Sequence, residues 1–177
     1  IQINQARKDG VTPLFITCQW GHVDVVRLLL AQPGIQINQA TEDGRTSLYT
    51  TCQKGHVDVV RLLLDRDEIQ INQASNSGYT PLWRASEKGH ADVVRLLLVR
   101  DEIKINQAGK DGETPLYITC QEGHVDVVKL LLDRDEIKIN QATGKYNGET
   151  PLYITCKKGH VDIVRLLLAR KEIQINR

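Results

Sequence analysis

A surplus of charge is the first thing this sequence lacks: 23 lysines and arginines meet 22 aspartates and glutamates, for a net charge of +1. Without a basic excess there is no general pull toward nucleic acid or an acidic membrane, and such a partner would need a local patch. No apolar run approaches the roughly 18 residues of a membrane-spanning helix. The polar opening Ile1-Gln2-Ile3-Asn4-Gln5 is no secretory signal, and no Asn-x-Ser/Thr acceptor occurs. Four cysteines are too few and too widely spaced for a secreted disulfide scaffold. These absences predict a soluble chain in a reducing, intracellular compartment, the cytoplasm. Neither Gly-x-Gly-x-x-Gly nor Gly-x-x-x-x-Gly-Lys-Ser/Thr is present, so nucleotide chemistry has no visible seat and no cofactor is expected.

What the chain does have is a period. Asn4, Asn38, Asn72, Asn106, Asn140 and Asn176 follow one another at 34, 34, 34, 34 and 36 residues, each after an isoleucine. A fixed spacing of this size marks a stacked array of copies of one unit. Cut at one phase, the units are 7–40, 41–74, 75–108, 109–142 and 143–177, with 1–6 left as the tail of a preceding unit. The whole of 1–177 therefore reads as a single array.

Each unit carries the same punctuation. Thr12-Pro13, Thr80-Pro81, Thr114-Pro115 and Thr150-Pro151 put a hydroxyl at an N-cap and proline at the first helical position, where its missing N–H does no harm. Thr46-Ser47 is expected to start a helix in the same place. Glycine before histidine, at Gly21, Gly55, Gly89, Gly123 and Gly159, ends that helix, because glycine accepts the left-handed conformation. A second helix follows, Val23 to Leu30 in the first unit, apolar almost all round and hence packed on several sides. The return Ile35-Gln36-Ile37-Asn38 alternates as a strand does, and Asp43-Gly44 and its counterparts mark a tight turn, so a row of short hairpins is expected. In the last unit the turn Thr143 to Gly148 is two residues longer than the others.

This scaffold leaves little room for metal, thiol or acid–base chemistry. Cys18 and His22 stand four apart, as do Cys52 and His56, Cys120 and His124, and Cys156 and His160. Each unit supplies at most two such ligands, and stacked helices lie about 8–10 Å apart, too far for shared zinc or disulfide bonds. Free, buried thiols and histidines bonded to turn backbone are predicted. The His-x-Asp pairs, with no nucleophile beside them, read as turn and helix-start chemistry, so no catalytic or metal site is assigned. Arg27, Arg61, Arg95, Lys129 and Arg165 form a basic column, but Asp24, Asp58, Asp92, Asp126 and Asp162 run beside it and neutralise it.

The Gly-x-Thr-Pro-Leu start, the Gly-His break, the Val-Val-x-Leu-Leu-Leu second helix and the terminal Ile-Asn resemble the ankyrin-repeat family along essentially the whole chain. The family unit is usually one residue shorter and ends its second helix with glycine, where Leu64 here runs into Asp65-Arg66-Asp67-Glu68. Histidine usually follows Thr-Pro-Leu in the family; this chain has Phe15, Tyr49, Trp83, Tyr117 and Tyr153. The resemblance implies an all-α solenoid of stacked helix-turn-helix units with short β-hairpin loops. It also implies a non-catalytic scaffold that binds a protein partner through a concave face of hairpins and first helices. A structural spacer without a partner, and less so an enzyme, are the alternatives. The hairpin asparagines Asn38, Asn72, Asn106 and Asn140 match positions that asparaginyl hydroxylases modify in some members of the family.

Copies must agree where they pack and are free to differ elsewhere, so differences among units locate the permissive surface. They fall at the turn tips and late in the first helix, which nominates Trp20, Arg45, Tyr79, Trp83, Arg84, Glu87, Lys88, Glu113 and Tyr146 as partner-binding residues. Unit three departs most, and Tyr, Trp and Arg are the types that dominate binding hot spots. Trp83 reads more readily as a core aromatic like Tyr49 and Tyr117, and Trp20 equally as cover for an exposed array end. Neither terminal unit has a polar outer face, as in a piece of a longer array or a repetitive engineered one, and head-to-tail self-stacking through bare ends is expected.

Overall fold

The computed structural model describes residues 2–145 and 147–175. Among them are ten helices and no strand: α1 (Pro13–Trp20), α2 (Val23–Leu30), α3 (Ser47–Lys54), α4 (Val57–Leu64), α5 (Pro81–Glu87), α6 (Ala91–Leu98), α7 (Pro115–Glu122), α8 (Val125–Leu132), α9 (Pro151–Lys158) and α10 (Val161–Leu168). First helices stack in the order α1, α3, α5, α7, α9, and second helices in the order α2, α4, α6, α8, α10.

The helix signals work as the residue types dictate. Thr12, Thr46, Thr80, Thr114 and Thr150 each accept the backbone N–H three residues on through their hydroxyl, satisfying a donor that has no partner within the helix. Ser47 begins α3 as well as proline does elsewhere. Second helices end without glycine: Ala31, Asp65, Val99, Asp133 and Ala169 are all right-handed. At two of these corners an open carbonyl is met from the following unit, Arg100 Nη1 donating to Leu64 O at 3.0 Å and Arg170 Nη2 to Leu132 O at 2.6 Å.

The hairpin row is altered in kind. Each turn closes on itself, Thr41 N–H donating to Arg45 O at 3.0 Å, and reaches its neighbour through one backbone bond, such as Asn76 N–H to Asp43 O at 2.9 Å, or through two at Asp111 O, which accepts from Gly144 and Lys145 N–H. The Ile-x-Ile-Asn returns are not strands. Adjacent units step by a helix-packing distance of about 8–10 Å, whereas strands pair at about 4.8 Å, so the returns have no backbone ladder to join.

The periodic asparagine bridges that gap. Asn72 Nδ2 donates to Glu102 O at 2.7 Å while its Oδ1 accepts the Lys104 N–H at 2.8 Å. Asn4, Asn38, Asn106 and Asn140 make the same pair of bonds to the next return. At about 0.5–1.5 kcal/mol net per bond, Asn72→Ala is expected to lower stability by about 1–3 kcal/mol in urea denaturation. A loss under about 0.5 kcal/mol would reduce the clamp to a bystander.

Position along the stack sets the burial of first and second helices alike. Val59, Val93 and Val127 are at most 1% exposed, while Val25 at the same place in α2 is 43% exposed. At the other end Leu168 is 47% and Tyr153 54% exposed, against 4% for Leu132 and 1% for Tyr117. A groove of about 970 Å³, lined in part by Ile3, Val25, Leu28 and Leu29, runs over the α2 end.

Candidate functional site

The face made by the turns and first helices carries the variable positions, and unit three gathers its differences into one cluster there. Tyr79 stacks on Trp83 with ring centroids 3.9 Å apart. The Arg84 guanidinium carbon lies 4.9 Å from the Tyr79 centroid, 5.1 Å from that of Trp83 and 5.5 Å from that of Tyr49 in the preceding unit. Such rings hold a cation by their quadrupoles. Arg84 Nε donates to the Tyr49 hydroxyl, and Nη1 donates to Glu87 Oε2 at 2.9 Å. Lys88 Nζ is 3.5 Å from the same Glu87 oxygen.

The following unit closes the cluster. Trp83 Nε1–H donates to Glu113 O at 3.0 Å, and the Tyr79 hydroxyl donates to Glu113 Oε2 at 3.3 Å. Burial, together with the Asp111 and Glu87 carboxylates, raises the Glu113 pKa despite the Tyr79 bond and nearby Lys145. Burial first, then the Glu113 charge, pushes the Tyr79 hydroxyl up to about 12. Burial works against the Arg84 charge, but the Tyr49 hydroxyl and Glu87 outweigh it, so its pKa rises. The upward shifts of Tyr79 and Arg84 keep the first neutral and the second charged at neutral pH.

The nominated residues thus divide. Trp20 is 67% exposed at one end of the stack. Tyr79, Arg84 and Glu87 are half-buried and Lys88 is exposed, all within the cluster. Arg45, half-buried, pairs with Asp43 in its own turn at 2.6 Å. Trp83 at 3% and Glu113 at 7% exposure lie inside the stack, so their side chains shape the cluster from beneath. Tyr146 lies outside the described residues.

Sequence reasoning overlooked Tyr49, which reaches from the neighbouring unit to fix Arg84, and the signal for it was only that Arg84 needs a partner 35 residues away. It also overlooked how far the histidines reach. His56, His90, His124 and His160 donate through Nε2–H to Gln19 O, Gln53 O, Glu87 O and Gln121 O at 2.9–3.2 Å, each the backbone of the unit before.

The four cysteines are free thiols, Cys18, Cys52 and Cys120 buried and Cys156 exposed. Burial pushes the Cys18 and Cys120 thiols up to about 12, which leaves them unreactive near neutrality. Among the described residues, no three of His, Cys, Asp and Glu come together as metal ligands would, and no helix is long and apolar enough to cross a membrane.

Comparison with known families matches nearly the whole chain. The family model described as ankyrin repeats (3 copies) covers residues 34–109 and 101–177, and the one described as ankyrin repeat covers residues 9–42. No curated protein matches the chain.

Proposed function

The chain belongs to the ankyrin-repeat family, and on that premise we propose that it is a non-catalytic, intracellular scaffold that grips a protein partner with the face of its turns and first helices. Ankyrin repeats are in general protein-interaction modules. A stacked array holds many side chains at little ordering cost, so contacts on its surface translate efficiently into affinity.

One observation carries the reading. Three residues of unit three that differ from every sibling unit, Tyr79, Arg84 and Glu87, meet in a single cluster on that face, with Lys88 beside them. Replacing the four by their siblings' residues tests it, with Tyr79→Val as in Val11, Arg84→Ile as in Ile118, Glu87→Gln as in Gln121 and Lys88→Glu as in Glu122. The combined variant is expected to keep its Tm within a few degrees while losing a protein that the parent captures from host lysate. Identical captures by both, or none by either, would favour a spacer without a dedicated partner.

A further inference from the structure

Arg84 stands where the other units hold Ile16, Thr50, Ile118 and Ile154, and the last two are at most 4% exposed. Putting a guanidinium where siblings bury an isoleucine costs desolvation, so packing alone does not account for it. Its five N–H donors are used sparingly. Nε–H serves the Tyr49 hydroxyl and one Nη1–H serves Glu87; among the described residues the other three meet no protein acceptor. Rings from Tyr49, Tyr79 and Trp83 flank the group and hold it in place. An immobilised fork with unused donors is pre-organised for a planar, two-oxygen acceptor.

The surrounding charges point the same way. Glu87 is shared between Arg84 and Lys88, at 2.9 and 3.5 Å. Glu113 is turned onto the Tyr79 hydroxyl, and Asp111 pairs with Lys145 at 3.1 Å. Around the fork itself two cations thus face one carboxylate. A cationic ligand would find the ring faces already occupied by Arg84, with Tyr49 and Trp83 only 1% and 3% exposed.

We propose that the Arg84 fork, with Lys88 beside it, receives a carboxylate side chain from an acidic segment of the partner protein, the aspartate or glutamate docking at unit three on the Nη donors that Tyr49 and Glu87 leave free. This rests on the reading of the turn and first-helix face as the binding surface, and it names the chemistry read at its centre.

A random peptide library displayed on phage, selected on the intact chain and counter-selected on the four-residue sibling variant, tests it. Peptides sharing an Asp or Glu at one register are expected. Their affinity should fall about 10- to 100-fold in Arg84→Ile, by the value of a charged hydrogen-bonded pair, and by less in Arg84→Lys, which keeps charge but loses the fork. Lys88→Glu, on an exposed side chain, should weaken them several-fold and keeps the test open should Arg84→Ile fold poorly. Peptides that bind Arg84→Ile as tightly as the parent would sink the Arg84 assignment while leaving the face as a binding surface. Enrichment of Lys or Arg at the fixed register would reverse the ligand's sign and overturn the proposal. No enrichment at all would remove the proposal and the binding surface together.

Discussion

Leu97→Ala should lower the stability of the array by about 2–5 kcal/mol, the range for truncating a fully buried leucine whose surroundings relax only in part. Leu97 is 0% exposed in α6, with α4 on one side and α8 on the other, so the cavity would open between layers that both lose contacts. The chain holds its own control. Leu28, near the exposed end of α2, is 66% exposed, and Leu28→Ala is expected to change stability by less than about 0.5 kcal/mol. For a domain of this size the first substitution corresponds to a Tm roughly 5–15 °C lower. Urea denaturation of both variants checks the pair. Comparable losses, or a Leu97→Ala cost near that of Leu28→Ala, would mean that the interior units do not bury one another's apolar faces.

That mutual burial also explains where sequence reading succeeds and where it stops. Helix starts and stops are local: Thr80 and Pro81 need only the next turn of chain, and Gly159 needs only its own freedom at φ 74°. Such features were legible. Exposure is set by a neighbour. Pro115-Leu116-Tyr117-Ile118-Thr119-Cys120 and Pro151-Leu152-Tyr153-Ile154-Thr155-Cys156 are the same six residues, yet Tyr117 is 1% exposed and Tyr153 54%. No property of the segment distinguishes them. The Ile-x-Ile-Asn return failed for a related reason. Alternation describes which side chains face inward, as Ile71 and Ile105 do at 2% exposure, but strand pairing needs a partner at the right distance, and units stack too far apart to provide one. The asparagine between them was visible as a period but not as a clamp, because its acceptor and donor lie 30 and 32 residues away in backbone that any sequence would offer. Within the candidate site, the cluster's location followed from differences among units, while the burial of Trp83 and Glu113 and the role of Tyr49 required the stack.

The glycine–histidine break supplies the second large effect, since glycine there serves two purposes that substitution can separate. Gly55 and Gly159 share φ 74°, a conformation that costs an alanine about 1–2 kcal/mol. At Gly159 an added methyl meets nothing within 4 Å. At Gly55 it would come within 2.7 Å of the His90 ring, which lies across the glycine and donates to Gln53 O at 3.2 Å. Gly159→Ala should therefore cost only the backbone penalty. Gly55→Ala must also displace His90 and leave a half-buried carbonyl without its donor, a further 1–3 kcal/mol or about that. The expected result is a Gly55→Ala loss of about 2–5 kcal/mol, measurably larger than that of Gly159→Ala under the same denaturant conditions. A third variant, His90→Ala combined with Gly55→Ala, should recover part of the difference by removing the ring that the methyl strikes. Equal costs for the two glycines would show that the break is a helix terminator alone, and that the histidine row adds nothing to the coupling between units.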